Sequence, residues 1–281
     1  MKQQTFEAYS EREIRRLNQM HDCMNQKGEV DCGGKIKVGV DLGTANVVVA
    51  VLNEHDEPIA GVSCPARVVR DGIIVDFLGA SLLIREMKDR LEERLGRSLD
   101  VASCAIPPGV HPGSVRIIRN TLEAAGFEVD AVVDEPEAAA VSLGVKDGAV
   151  IDVGGGTTGI SILSSGKSVY ATDEATGGTH MTLVLAGAYG LSIEEAEQLK
   201  IERSESREIF ATIRPVAEKM ASIVRSGLKD HEVDQAYVVG GACSFPGFSK
   251  VFEQYLDIPV VIPVHPLLVT PVGIAMSCKE Y

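Results

Sequence analysis

The sequence predicts an α/β protein of two related lobes with a cleft between them, and three observations lead there. Two aspartates stand in near-duplicate settings at positions 41 and 152. The first lies in Lys37-Val-Gly-Val-Asp41-Leu-Gly-Thr44-Ala-Asn-Val-Val-Val-Ala-Val51, the second in Ala149-Val-Ile-Asp152-Val-Gly-Gly-Gly-Thr157-Thr158-Gly-Ile-Ser-Ile-Leu163. Each reads as a β-branched strand, an acidic residue, a Gly/Thr turn and a second apolar strand. From Lys35 onward, strand patterns alternate with helical ones, which implies α/β layering. A length of 281 residues suits two medium domains, each with its own core.

In chain order, residues 1–35 come first as a polar extension that lacks strand character and ends in Asp31-Cys-Gly-Gly34. Ser10 with Glu13 forms a capping box, and Ile14, Leu17 and Met20 fall on one helical stripe. The expected helix is either a docking or targeting peptide on a Gly-containing tether or a frayed terminal helix packed on the core. A strand pair over 36–52 follows, then a turn-rich segment and a strand over Gly72–Phe77. A charged amphipathic helix at about 80–96 leads to a strand over Asp100–Ile106, the Pro107-Pro108-Gly109 loop, a helix over 113–126 and a strand over 129–133. Asp134-Glu135-Pro136 opens a small-residue helix reaching Leu143. The plan then repeats: a strand pair over 148–163, a strand over 168–172, and helices over 178–189, 193–203 and 206–228. A strand over 236–239, Gly240-Gly241, a helix over 247–255, a strand over 258–262 and a helix over 269–278 complete it. The expected division is an extension (1–35), lobe I (36–145, completed by 266–281) and lobe II (146–265).

Composition removes several function classes. With 27 basic against 40 acidic residues, a net charge of −13 argues against nucleic acid or anionic membrane as the main partner. No apolar stretch approaches the roughly 20 residues of a membrane helix, since the run Ile258–Pro271 is broken by four prolines. The polar, charged N-terminus is not a secretory signal. Cys23, Cys32, Cys64, Cys104, Cys243 and Cys278 lack zinc-type spacing and suit buried thiols in a reducing cytoplasm. A metal or disulfide pair of Cys23 with Cys32 is the alternative for those two.

The duplicated turns carry the chemistry. Glycine there lets the backbone take positive φ and approach a ligand closely. Exposed N–H groups with Thr hydroxyls form a concave donor array suited to phosphate. A carboxylate beside such an array holds Mg²⁺, usually through its waters. Two hairpins facing each other would grip a polyphosphate from both sides.

Five stretches, in order, resemble the nucleotide-binding elements of the actin/heat-shock-protein-70/hexokinase superfamily. Asp41-Leu-Gly-Thr44 is similar to its first phosphate loop and Asp152-Val-Gly-Gly-Gly-Thr157-Thr158 to its second. Asp134-Glu135-Pro136-Glu-Ala-Ala-Ala140 resembles the first connecting helix, and Pro266-Leu-Leu-Val-Thr-Pro271-Val-Gly-Ile-Ala275 the second. Val239-Gly240-Gly241-Ala-Cys-Ser244-Phe-Pro-Gly247 is similar to the adenosine loop. The resemblance covers nearly all of Ile36–Cys278. It implies an actin-like ATPase fold, two ribonuclease-H-like lobes around a nucleotide cleft. Within the superfamily, Val69-Arg70-Asp71-Gly72-Ile73-Ile-Val-Asp-Phe77, the compact size and the extension resemble the ethanolamine-utilisation proteins of the EutJ type. That resemblance implies a chaperone-like, ATP-binding protein of a bacterial microcompartment system. Its implied partners are ethanolamine ammonia-lyase or the compartment's shell proteins.

Residue by residue, the resemblance places ATP or ADP with Mg²⁺ in the cleft. Asp41 would hold hydrated Mg²⁺ near the β- and γ-phosphates, and Asp152 would help place Mg²⁺ or the attacking water. Gly43, Thr44 and Asn46 would line the phosphates from one hairpin, and Gly154, Gly155, Gly156, Thr157 and Thr158 from the other. Glu135 would orient the attacking water, since phosphoryl transfer needs mostly positioning and charge neutralisation; read alone, it is a helix N-terminal acid favouring its own dipole. Glu197 and Lys200 would meet the ribose and adenine, and as bare sequence they are an i,i+3 ion pair. Gly240, Gly241 and Ser244 would sit beside the base, or merely turn a strand into a helix. Gly178, with Gly177, resembles a further phosphate-reaching loop. Pro107-Pro108 is similar to the loop linking cleft to partner surface, or is a plain strand stop.

Two departures from the heat-shock pattern shape the expectation. No lysine stands where those chaperones place one against the γ-phosphate, and Arg70, Arg85 and Lys88 read as solvated. Slow hydrolysis, or binding with little turnover, is therefore expected. The sequence also ends at Tyr281 without a peptide-binding module, so a client would bind the lobes or the N-terminal arm. Rival readings are a filament-forming or scaffold ATPase, which Glu135 and the Glu-x-x-Lys pair suit, and a small-metabolite kinase, for which there is little spare length. A membrane-tethered division or pilus ATPase would want a terminal amphipathic anchor, which the C-terminus lacks.

Overall fold

The Ser10 capping box starts the first element as its sequence requires. In the computed structural model, which describes residues 9–26, 28–30, 33–70 and 72–281, Ser10 caps helix α1 (Glu11–Asn25) and the Glu13 carboxylate accepts from the Ser10 N–H at 3.0 Å. The stripe read from sequence is the buried face: Leu17 and Met20 are fully buried. Arg16 is buried with them, donating to the Asp56 carbonyl at 2.9 Å and the Ser142 carbonyl at 3.3 Å. The helix is thus packed on the core, the second of its two readings; residues 1–8 lie outside the described residues.

The first sheet begins with β1 (Ile36–Leu42), β2 (Asn46–Asn53) and β3 (Pro58–Pro65), joined antiparallel. A two-strand ribbon, β4 (Val69–Arg70) with β5 (Ile73–Ile74), leads into α2 (Phe77–Leu95). Next come β6 (Val101–Ile106), α3 (Pro112–Ala124) and β7 (Glu128–Asp134), giving strand order β3-β2-β1-β6-β7 with β1, β6 and β7 parallel. Helix α4 (Glu135–Leu143) then crosses to the second sheet. There β8 (Gly148–Val153), β9 (Thr158–Ser164) and β10 (Lys167–Glu174) repeat the antiparallel start. Helices α5 (Gly178–Tyr189), α6 (Ile193–Glu202) and α7 (Arg207–Leu228) follow. After them come β11 (Ala236–Val239), α8 (Phe248–Leu256), β12 (Val260–Val261) and α9 (Val269–Met276). The second order, β10-β9-β8-β11-β12, is the first repeated, so the duplication read in the hairpins extends to whole sheets.

Each sheet buries its own apolar cluster, one around Val38, Val49, Ile84 and Leu122, the other around Ile151, Ile213, Met220 and Phe248. A third cluster joins them at the back: Leu17 and Met20 of α1, Leu52, Leu143, Val150, Val239, Val269 and Val272. Helices α4 and α9 cross there backbone to backbone. A Cβ placed on Gly273 would lie 1.7 Å from the Ala138 carbonyl oxygen.

Two stretches differ from their sequence reading. The segment read as turn-rich contains β3, because Pro58 and Pro65 bound an edge strand, where proline is tolerated. Gly61 in its middle makes room for α1; a Cβ there would meet the Met20 methyl at 2.1 Å. The expected strand over 72–77 reduces to Ile73–Ile74, since Asp76 accepts from the Gly79 N–H at 2.8 Å and starts α2 at Phe77. Cys23 is a free thiol donating to the Pro58 carbonyl at 3.6 Å; its suggested pair with Cys32 falls on a residue outside those described.

Candidate functional site

The two Gly/Thr turns meet on one cleft of about 350 Å³ between the sheets, within the range of small-molecule sites. Asp41 ends the β1 side of the first hairpin, opposite Val48 in register. Asp152 ends the β8 side of the second, opposite Gly159. The second turn closes on itself through the Gly154 N–H to the Thr157 carbonyl at 3.0 Å. The start of α5 docks on it, with the Gly178 N–H donating to Gly154 at 2.9 Å and the Thr179 N–H to Gly155 at 2.7 Å. The loops nearly touch: a Cβ on Gly155 would lie 3.0 Å from both the amide nitrogen and the Cβ of Ala45. A side chain at Gly155 would press on Ala45, and the facing turn would have to give by a few tenths of an ångström.

Three carboxylates line the floor: Asp41, Glu135 and Asp152. Asp152 is buried and accepts from the Thr270 hydroxyl at 2.5 Å, a bond from the start of α9 into the second sheet. Burial raises its carboxyl, and the Thr270 donor partly offsets that. Burial, with the Asp152 charge nearby, pushes Asp41 up to about 7. Glu135 is raised well above the carboxylate range, first by burial and then by Asp152, Asp41, Asp173 and Asp134. Like charges crowded in low dielectric disfavour one another's ionisation, and a bound cation reverses that. The donor set therefore fits a cation that brings its own ligands. Among the described residues no three Asp, Glu, His or Cys side chains converge to enclose a metal directly. Such a sparse carboxylate set suits Mg²⁺ held through water and phosphate oxygens.

The other end of the cleft is built from α6 and the loop after β11. Lys200 donates to Glu197 at 2.7 Å, to Thr182 at 2.8 Å and to the Gly178 carbonyl at 3.1 Å. Thr182 in turn bonds the Glu197 carboxylate. The pair is therefore an ion pair, as the spacing alone says, and it also faces the cleft. Gly240 takes φ 92°, donates to the Pro266 carbonyl at 3.0 Å, and passes so close to β8 that a Cβ would lie 2.4 Å from the Val153 oxygen. Ser244 closes the loop by donating to the Gly241 carbonyl at 3.0 Å.

The structure thus gathers Asp41, Gly43, Thr44, Asn46, Glu135, Asp152, Gly154, Gly155, Gly156, Thr157, Gly178, Glu197, Lys200, Gly240, Gly241 and Ser244 around one cleft. Thr158 is the exception. It is fully buried as the first residue of β9, and its hydroxyl donates to the Thr176 carbonyl at 2.6 Å. Successive strand side chains point to opposite faces, so Thr157 and Thr158 cannot both reach one ligand. Arg70, Arg85 and Lys88 do not line the cleft; Lys88 pairs with Glu92 at 2.7 Å. Among the described residues Lys200 is the cleft's basic side chain, and its ammonium is already engaged. Sequence reading missed Thr270, whose role depends on α9 crossing to Asp152, and the apolar wall of Ile201, Phe245 and Leu267. A strand-end Asp facing a Thr in a connecting-helix motif was the available signal for Thr270.

A family model described as Type IV pilus assembly protein PilM matches residues 127–269, about half of the chain. The Ethanolamine utilization protein EutJ of Escherichia coli (strain K12) is 44% identical over 244 residues, 86% of this chain and 86% of that protein. The crystal structure of ethanolamine utilization protein EutJ from Carboxydothermus hydrogenoformans superposes with a TM-score of 0.89 at 44% identity. It covers 94% of this chain and 98% of that one. MreB 5 of Spiroplasma citri bound to AMPPNP shares the fold at 19% identity, with a TM-score of 0.69 over 85% of this chain and 94% of that one. With 44% identity across most of its length, repeated sheets and paired Gly/Thr turns, the chain belongs to the EutJ family of ethanolamine utilization proteins, which shares its actin-like ATPase fold with PilM and MreB.

Proposed function

We propose that the chain binds ATP with Mg²⁺ in this cleft, turns it over slowly, and acts as a nucleotide-governed, chaperone-type protein in ethanolamine utilisation. The observation that carries the reading is the meeting of two Gly/Thr turns, each preceded by an aspartate, across one cleft. Backbone N–H groups of Gly43–Asn46 and Gly155–Thr157, with the Thr44 and Thr157 hydroxyls, are the donors for the phosphates. Asp41 and Asp152 would hold the hydrated cation, and Thr270 orients Asp152 and offsets part of the rise that burial imposes on its carboxyl. Bound Mg²⁺ would neutralise phosphate charge. Glu135, at the first turn of α4, positions water in line with the terminal phosphate. Glu197 and Lys200 meet the ribose, and Gly240, Gly241 and Ser244 present flat backbone to the base. Weak turnover follows because, among the described residues, Lys200 is the cleft's basic side chain and it stands at the nucleoside end, tied to Glu197 and Thr182, so no ammonium faces the transition-state charge at the two turns.

The client reading rests on the relatives' names and the resemblance: ethanolamine ammonia-lyase, or the shell proteins of a bacterial microcompartment. Affinity capture on the tagged chain from cells grown on ethanolamine is the check, and recovery of neither would remove the client reading. For the cleft, titration calorimetry of MgATP into the parent chain and the Asp41→Asn/Asp152→Asn variant decides. Each change deletes charge and keeps shape, so the fold is retained and metal-dependent binding should be lost. A double variant that binds MgATP as tightly as the parent would refute the two-hairpin site. Phosphate release without added acceptor separates an ATPase from a kinase.

A further inference from the structure

Helix α1 belongs to neither sheet, yet it grips the chain segment that forms one wall of the cleft. Its lobe I side is fixed by Met20 packed over Gly61 and by the Gln19 amide, which donates to the Pro58 carbonyl at 2.8 Å. Its other side meets residues 264 and 265. The Val264 N–H donates at 2.7 Å to the hydroxyl of Tyr9, the residue before the N-cap, and His265 Nε2 lies 3.2 Å from Asn18 Oδ1. The His21 and His265 rings stack with centroids 4.1 Å apart and planes 10° from parallel. His265 takes φ 47°, a left-handed conformation that a residue with a side chain keeps only where its surroundings hold it. Two of the contacts that hold it, Asn18 and His21, come from α1.

The same segment reaches the cleft between His265 and Thr270. The Pro266 carbonyl accepts from the Gly240 N–H at 3.0 Å and fixes the Gly-Gly turn. Leu267 lines the cleft, and a Cβ on Gly241 would lie 3.3 Å from its Cδ1. The Thr270 hydroxyl donates to Asp152 at 2.5 Å. Between these contacts, Leu268 and Val269 share a buried cluster with Leu17 and Met20 of α1. Residues 264–270 are therefore held by α1 at one end, while they hold the turn at 240 and the carboxylate at 152.

We propose that α1 is a regulatory strap whose docking keeps residues 264–270 in the arrangement that binds nucleotide, so that docking and nucleotide binding strengthen each other. The inference rests on the cleft being a nucleotide site. Its two states are α1 docked and α1 released. Release loses packing but breaks no strand pairing, because α1 lies outside both sheets. With α1 released, His265 loses its stack, and the segment's hold on Gly240 and Asp152 loosens. Bound nucleotide, by fixing Gly240, Leu267 and Asp152, favours the docked form of the segment and so retains α1. Coupling of this kind is reciprocal by linkage.

Hydrogen–deuterium exchange and calorimetry on the full chain test this together. Saturating MgATP should slow exchange of the α1 amides about tenfold, although no α1 residue lines the cleft. His21→Ala/Asn18→Ala removes the grip on His265 and leaves Leu17 and Met20 in place; both altered residues are exposed, so the core stays filled. That variant should bind MgATP about tenfold more weakly than the parent, a coupling of ordinary size. Gln19→Ala is the control: it removes a bond between α1 and lobe I, touches none of residues 264–270, and should match the parent's affinity. A helix that only packs would lower the melting temperature in both variants and leave both affinities alone. The strap is overturned if MgATP binds while exchange in α1 is unaltered. It is equally overturned if His21→Ala/Asn18→Ala binds as tightly as the parent, or if Gln19→Ala weakens binding as much as that variant does. A parent that binds no MgATP refutes the cleft reading itself, and the strap with it.

Discussion

Gly273→Ala probes the contact on which the arrangement of the two sheets depends. The added methyl would sit 1.7 Å from the Ala138 carbonyl oxygen and 2.4 Å from its carbon. That is roughly 2 Å short of ordinary van der Waals separation. The obstructing atoms are backbone, so no side-chain rotation relieves the clash and α4 and α9 must separate. Overpacking costs about 1–3 kcal/mol, and an immovable neighbour puts this site at the upper end. At about 2–4 °C per kcal/mol for a chain of this size, calorimetric melting should fall by roughly 6–12 °C. Gly187→Ala is the control, because a Cβ inside α5 at that position meets nothing within 4 Å. It should stabilise by about 0.5–1 kcal/mol through helix propensity alone. A Gly273→Ala chain that melts with the parent would show that α4 and α9 do not touch, and the account of the interface between the sheets would fail.

Three further outcomes follow from the site. Asp41 is held near 7 by burial and the Asp152 charge, whereas bound Mg²⁺ needs it ionised. MgATP affinity should therefore drop about tenfold per pH unit below 7, while the nucleotide-free fold gains stability as pH falls from about 7 toward 4; equal dissociation constants at pH 6 and 8 would contradict this. Thr270→Val removes the donor to Asp152 at constant shape and should weaken MgATP binding roughly tenfold, in keeping with about 1–3 kcal/mol for a stranded buried acceptor. Calorimetry reads it, and unchanged affinity would make the bond incidental. Glu135→Ala should leave MgATP affinity within a few fold yet lower phosphate release about 10²-fold; equal loss of both would make Glu135 a structural helix-start residue.

Local chemistry was legible in the sequence because it is set by neighbours along the chain. The Ser10 capping box, the strand–Asp–Gly/Thr–strand hairpins at 41 and 152, and the strand–Gly-Gly turn at 240 each depend on a handful of consecutive residues. Their repetition was enough to place two sheets and a cleft. Contacts between distant segments were not legible, because no local pattern encodes them. Whether α1 hung free or packed was decided by Gly61 leaving room for Met20, and by carbonyls at Asp56 and Ser142 facing Arg16. Thr158 reads like Thr157 in sequence, yet strand alternation turns it to the Thr176 carbonyl and away from the cleft. Thr270 joined the site only because α9 crosses back against the end of β8, 118 residues away along the chain, where a buried carboxylate needed a donor.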